Sequence, residues 1–187
     1  VVDVDHFKHI NDSLGHATGD TVLAAVAAVL RENSGDESLV ARLGGDEFAV
    51  LLADVDEPIY AETVAKRIVR AFTESFDLSG KEATIGASVG IVHAQGFEGA
   101  SRDLMKAADL ALYSAKRSGR GCYRLYGADM LKAETEKRTL QDELQAALIR
   151  NEFVLHYQPI VSTSGMEIVS YEALIRWLHP RHGLVSP

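Results

Sequence analysis

Four carboxylates fall in two tight pairs, Asp3 with Asp5 and Asp46 with Glu47. Gathered in one place, they would repel each other unless a cation sat among them. Hard oxygen donors with no cysteine nearby favour magnesium, or manganese in its place, over softer metals. A second group is cationic: Lys116 and Arg120, four residues apart, could reach one anionic group together. The run Asn11-Asp12-Ser13-Leu14-Gly15-His16 offers polar groups for the edge of a base. Each feature also has a plainer role, as a solvated strand end, a turn residue, a complement to a helix dipole or a loop. His6, His9 and His16 show no metal-ligand spacing and read as surface or loop histidines.

The elements that would carry these residues follow from their patterning. Val1 to Asp5 alternates apolar and acidic residues, as a strand does that holds its carboxylates on one face. Asp12-Ser13-Leu14-Gly15 and Gly19 mark a loop, and Asp20 stands as the N-cap of a helix with Val22, Leu23, Val26, Val29 and Leu30 at helical spacing. Asn33 to Asp36 ends that helix. Strands over Leu39–Leu43 and Phe48–Leu52 flank Gly44-Gly45-Asp46-Glu47, whose turn chemistry predicts a β-hairpin with two carboxylates at its tip. A second amphipathic helix is expected from Pro58 to Ser75 and a strand from Thr84 to His93. A third helix is expected with Ser101 as its cap, burying Leu104, Met105, Ala108, Leu112 and Ala115 and closed by Gly119. Cys122 to Tyr126 completes the set. This order predicts an α+β sandwich of ferredoxin-like kind, with helices packed on a mostly antiparallel sheet.

Beyond Gly127 the charged residues and the four-residue steps of Leu140, Leu144 and Leu148 predict an amphipathic linker helix over residues 127–150. Residues 151–187 then form two strands, Phe153 to Val161 and Ile168 to Ile175, joined at Ser162-Thr163-Ser164-Gly165. About 35 residues cannot bury a self-sufficient core, so this piece must lean on its neighbour or belong to a larger domain. The start at Val1 without Met and the stop at Pro187 inside a motif predict a segment of a longer protein.

The bulk properties narrow the classes. With 187 residues, 47% of them hydrophobic, the chain holds one well-packed domain and an appendage. A net charge of −8 argues against a protein that coats a nucleic-acid polymer, because phosphate neutralisation needs concentrated Lys and Arg. The lone Cys122 excludes an internal disulfide and points to a reducing compartment, the cytoplasm, with tethering to the inner membrane only through upstream domains. No apolar run is long enough to make a membrane segment.

Taken jointly, the motifs are specific. Asp3-Val4-Asp5-His6-Phe7-Lys8-His9-Ile10-Asn11-Asp12, Gly15-His16, Gly19-Asp20, Arg42-Leu43-Gly44-Gly45-Asp46-Glu47-Phe48, Ala108 to Tyr113, Ala115-Lys116 and Gly119-Arg120 together resemble the GGDEF diguanylate cyclase family over residues 1–126. The resemblance implies a nucleotidyl-cyclase palm that condenses two GTP into cyclic di-GMP. It implies metal ligation by Asp3, the Val4 carbonyl and Asp46, with Glu47 helping to ligate the metal or accepting the proton of the attacking 3′-hydroxyl. It assigns guanine to Asn11 and Asp20, and the β- and γ-phosphates to Phe7, Lys8, Lys116 and Arg120. Each domain of that family binds one GTP, so a second protomer completes the reaction.

Two departures stand out. His6 occupies a position that is often aromatic in the family. Gly35-Asp36-Glu37-Ser38 stands where the family carries the Arg-x-x-Asp of product inhibition, so no feedback binding of cyclic di-GMP is expected there. Tyr157-Gln158-Pro159-Ile160-Val161 and Tyr171-Glu172-Ala173-Leu174-Ile175-Arg176-Trp177 resemble the opening of an EAL phosphodiesterase domain. There Glu172 would ligate metal and Arg176 would contact substrate phosphate. The remaining ligands of that family lie on later strands of its barrel, so this segment alone does not hydrolyse cyclic di-GMP. The functional expectation is a cyclase within a bifunctional signalling protein that carries an upstream sensory domain and the rest of the EAL domain. The alternative is a catalytically silent GTP-binding module that regulates the attached phosphodiesterase.

Overall fold

The computed structural model describes residues 1–187 apart from 74, 75, 78–81, 84, 96, 98, 186 and 187. The chain divides into two units, Val1–Lys132 and Ala133–Pro187.

In the first unit a five-stranded sheet has the order β2-β3-β1-β6-β7, with β1 at Val2–Asp5, β2 at Leu39–Gly44, β3 at Glu47–Leu51, β6 at Gly86–Ile91 and β7 at Tyr123–Leu125. All pairings are antiparallel except β6 with β7. That parallel pair is joined through α4 at Ser101–Arg117, because parallel neighbours need a long crossover. Helices α1 at Phe7–Leu14, α2 at His16–Ser34 and α3 at Pro58–Thr73 complete the layers, and a small pair, β4 at Phe76–Asp77 with β5 at Glu82–Ala83, follows α3. The mostly antiparallel sheet flanked by helices is the expected α+β architecture.

The strand period sorts β1 into two faces. Val2 and Val4 join Val22, Val26, Leu30, Phe48, Ile68, Phe72, Ala87 and Val89 in the main core. Each such side chain contributes about 1.5–3 kcal/mol by leaving water. Asp3 and Asp5 point to the other face and are nonetheless buried. That face is covered by α4, which presents Ala107, Ala108, Ala111 and Ala115. Small residues let the helix lie against the strand: a β-carbon added at Gly90 would overlap the Ala108 carbonyl oxygen and the Leu112 nitrogen.

Several local expectations are corrected. Asp12, Ser13 and Leu14, expected in a loop, are the last turn of α1, with Phe7, Ile10 and Leu14 at helical spacing. Asp20 is not an N-cap: α2 already begins at His16, after Gly15 at φ 84°. Gly19 lies inside α2, where a β-carbon would collide with the Asn11 side chain of α1, so its role is to permit a helix crossing. Ser101 is the first helical residue of α4 and Ala100 precedes it; the Asp103 carboxylate accepts the Ala100 N–H at 3.1 Å. Met105 is exposed, and Ala107 and Ala111 are buried. Gly119, at φ 108°, does terminate α4. The second helix ends at Thr73, its expected Ser75 end lying outside the described residues, as does Thr84 of the expected strand that is realised as β6.

In the second unit, α5 arrives from the first unit as the helix Ala128–Ile149. Leu144 and Leu148 on it are exposed, whereas Ala147 is buried. A three-stranded sheet, order β10-β9-β8, comprises β8 at Phe153–Val161, β9 at Ile168–His179 and β10 at Gly183–Val185. β9 runs four residues past its expected end. The extension carries Trp177 and His179 into the only strongly buried positions described in this sheet, where Trp177 Nε1 donates to Glu152 and His179 Nε2 pairs with Glu143 of α5 at 2.5 Å. Arg181 also pairs with Glu143. Leu155, Tyr157, Ile160, Val161, Tyr171 and Ile175 remain exposed. Among the described residues no helix is long and apolar enough to cross a membrane.

Candidate active site

Strand pairing assembles the acidic cluster. Asp3 lies directly opposite Glu47 in the β1–β3 register, which places both side chains on the same face of the sheet. The Val4 N–H donates to the Asp46 carbonyl at 3.2 Å, so the turn carrying Asp46 is stitched to β1. Gly45 takes φ 53° in that turn, the left-handed geometry that glycine adopts without steric cost. Arg42 Nε donates to the Gly45 carbonyl at 2.9 Å and steadies the turn from the preceding strand. Glu47 is exposed and Asp46 half-buried. The expected tip is therefore refined: Asp46 occupies the turn, and Glu47 is already the first residue of β3.

The cations come from α4 and the turn after it. Lys116 Nζ lies 2.7 Å from Asp3 Oδ2, and Arg120 Nε lies 4.0 Å from Asp5 Oδ1. Each carboxylate of β1 thus has its own cation. Burial pushes the Asp3 carboxyl above its ordinary value of 3.8; the hydrogen bond and charge of Lys116 oppose this, and Asp46 and Asp5 add to it. A carboxyl raised in the folded state favours folding when protonated, and that contribution is lost as pH rises through the raised value. Ionised Asp3 therefore costs stability at neutral pH. In metal-free protein, Asp3→Asn is expected to raise the melting temperature at pH 7 and to flatten its decline between pH 4 and 7. Thermal denaturation with a chelator across that range checks this, and a lower melting temperature at pH 7 would show that the Lys116 pair outweighs burial.

The remaining candidates lie at the start of α1 and along α2. Phe7 is buried and Lys8 exposed at the first turn of α1, where backbone N–H groups lack intrahelical acceptors. Asn11 is half-buried against Gly19. Asp20 lines a cavity of about 410 Å³ together with Leu23, Arg31, Val40, Arg42 and Phe48. Gly19→Ala gains helix propensity of about 1 kcal/mol yet displaces the Asn11 amide. The expected result is an unchanged or higher melting temperature, read by thermal denaturation, with the Asn11 amide moved from its place beside α2; a clearly lower melting temperature would mean that Asn11 does not give way.

The structure thus brings Asp3, Val4, Asp46, Glu47 and Lys116 together around the β1–β3 junction. Arg120 stands beside the neighbouring Asp5, and Asn11 and Asp20 lie on the helical side. Among the described residues no three His, Cys, Asp or Glu side chains converge as a closed metal cage. The donors suit magnesium all the same. A buried carboxylate with a second carboxylate opposite is the small share that magnesium takes from protein when phosphates and water supply the rest. Two residues escaped the sequence reading of the site. Arg42 was visible only as part of the hairpin motif, and Ser88, whose Oγ donates to Asp5 at 2.8 Å, carried no signal in the sequence. Glu172 and Arg176 sit on alternate residues of β9, hence on one face, with Glu172 exposed and Arg176 half-buried.

The family model described as diguanylate cyclase, GGDEF domain, matches residues 1–122, and the EAL domain model matches residues 141–187. The chain is 41% identical over 186 residues to MucR of Pseudomonas aeruginosa, a bifunctional diguanylate cyclase/cyclic di-GMP phosphodiesterase, covering 100% of this chain and 27% of that protein. It is 38% identical to NbdA of the same species, a cyclic di-GMP phosphodiesterase, covering 100% and 24%. The chain spans about a quarter of the length of these relatives. The GGDEF domain of TpbB (YfiN) from Pseudomonas aeruginosa superposes with a TM-score of 0.68 at 39% identity, over 72% of this chain and 78% of that one. The active GGEEF domain of a diguanylate cyclase from Vibrio cholerae gives a TM-score of 0.59 at 31% identity, over 67% and 80%. With a family model matched over residues 1–122 and relatives alike over the whole of it, the chain belongs to the GGDEF diguanylate cyclase family, with an EAL segment at residues 141–187.

Proposed function

We propose that residues 1–126 catalyse the condensation of two GTP into cyclic di-GMP. The observation that carries this reading is the cross-strand pairing of Asp3 with Glu47 beside the Asp46 turn, with Lys116 2.7 Å from Asp3. Asp3, the Val4 carbonyl, Asp46 and Glu47 would hold magnesium, or manganese, which when bound neutralises charge on the triphosphate.

The chain's own residues do the rest. The Asn11 amide hydrogen-bonds the guanine edge and the Asp20 carboxylate accepts from its N–H donors, fixing the nucleoside, with the cavity beside Asp20 taking part of it. The first-turn N–H groups of Phe7 and Lys8, the Lys8 ammonium, Lys116 and Arg120 bind the β- and γ-phosphates and favour the charge that develops on the departing pyrophosphate. Glu47 accepts the proton of the 3′-hydroxyl. That oxygen forms a bond to the α-phosphorus of the second GTP while the bond from that phosphorus to the β-phosphate bridge breaks. Two such transfers release two pyrophosphates. One protomer holds one GTP, so a second copy supplies the other.

The test is incubation of the full chain with GTP and magnesium over a range of protein concentrations, with chromatography of the products. Cyclic di-GMP that rises more than linearly with protein and disappears in Asp46→Ala supports the cyclase. GTP binding without product at any concentration would assign the silent regulatory role in its place.

A further inference from the structure

The two carboxylates of β1 differ in what surrounds them. Asp3 faces Glu47 and Lys116. Asp5 is buried with both oxygens engaged elsewhere: Oδ1 accepts the Ser88 hydroxyl at 2.8 Å, and Oδ2 accepts the Gly121 N–H at 3.0 Å. Gly86, its partner in the β1–β6 register, leaves room for this, because a β-carbon there would sit 3.0 Å from Oδ2.

Gly121 belongs to an uncommon turn. Gly119, Arg120 and Gly121 take φ of 108°, 61° and 55°, three successive left-handed residues, one of them an arginine. L-residues adopt that conformation at a cost, and it persists only where the surroundings over-determine it. The surroundings here are few and identifiable: the Arg120 N–H donates to the Ala115 carbonyl at 3.3 Å, and the Gly121 N–H donates to Asp5. The turn holds the Arg120 side chain half exposed, with Nε 4.0 Å from Asp5 Oδ1, too long for a firm hydrogen bond.

We infer that Asp5 is a positioning residue that pins the Gly119–Gly121 turn to the sheet and so delivers Arg120 to the phosphates. This rests on the reading of Lys116 and Arg120 as phosphate-binding cations. Asp5 is assigned to the turn and not to the metal, because one donor from β6 and one from the turn hold its two oxygens in place. The two acids of the Asp3-Val4-Asp5 motif thus divide their work between metal and cation placement.

Calorimetric titration of the full chain with GTP and magnesium tests the coupling. Asp5→Ala is expected to weaken GTP roughly tenfold, as Arg120→Ala does, consistent with loss of a charged hydrogen bond that acts through one group. In the Arg120→Ala background, Asp5→Ala adds less than about twofold; in the Lys116→Ala background it costs its full factor again. Asp5→Asn keeps an acceptor for Gly121 and an amide for the Ser88 oxygen, and restores affinity to within about threefold with unchanged magnesium dependence. Ser88→Ala gives the same pattern at roughly threefold amplitude and keeps the test open should Asp5→Ala not fold. Full additivity of Asp5→Ala with Arg120→Ala, or a raised magnesium requirement in Asp5→Asn, overturns the inference while leaving the cyclase reading intact. No GTP binding by the unaltered chain overturns both.

Discussion

Glu47→Gln in the full chain is expected to lower cyclic di-GMP formation by about 10³-fold while changing GTP affinity without magnesium, where its role as a metal ligand does not enter, by less than about threefold. The substitution preserves shape and removes only the capacity to accept a proton and to offer a charge. Its structural cost is small because Glu47 is exposed at the first position of β3 and packs into no core. A fall in turnover with affinity held would place the loss in the transition state, as required of a group that takes the 3′-hydroxyl proton. Initial rates from product chromatography and affinities from calorimetry on one preparation decide it. Turnover within about fivefold of the unaltered protein would sink the assignment of Glu47 as base and leave Asp46 and Asp3 to carry the chemistry.

Among the described glycines, Gly90→Ala is expected to cause the largest loss of stability. The new carbon would overlap the Ala108 oxygen and the Leu112 nitrogen, which are main-chain atoms that no rotamer change can move. Overpacking of this kind costs about 3 kcal/mol or more. For a domain of this size that is a melting temperature lower by roughly 10 °C. The damage would also reach the site, since a displaced α4 carries Lys116 away from Asp3 and shifts the turn that holds Arg120. Weakened GTP binding is therefore expected alongside the lower melting temperature. A Gly90→Ala protein that melts within about two degrees of the unaltered one would mean that α4 does not ride on β6 at the distance described.

Much of this arrangement was legible before any coordinates. Val22, Leu23, Val26 and Leu30 announce α2, and Gly44-Gly45-Asp46-Glu47 between two apolar runs announces the hairpin. The family motifs placed the acids and the cations in order along the chain. What escaped was the tertiary reason for particular residues. α1 is short and largely polar, and its helical character depends on packing Phe7 beneath α2 rather than on propensity. Gly19 and Gly90 read as local punctuation, whereas each exists for the close approach of a neighbouring segment far away in sequence. Asp20 reads as a cap because Asp ahead of an apolar run usually is one. The helix starts five residues earlier, with Gly15 at the cap position and His16 as its first residue. The separate fates of Asp3 and Asp5 depend on Ser88 and Gly121, more than 80 residues away, and local pattern could not reveal them.

The sheet of the second unit has a practical consequence. β8 lies at its edge, with Leu155, Tyr157, Ile160 and Val161 exposed, and a row of apolar side chains beside open main-chain groups is a template for pairing with another copy. Pro159 interrupts that row, because it lacks the N–H a neighbouring strand would need, so the stretch from Phe153 to Tyr157 is the more adhesive part. Leu155 and Tyr157, the exposed apolar residues of that stretch, are therefore where strand-to-strand association between copies of this chain is expected to begin, away from the nucleotide chemistry.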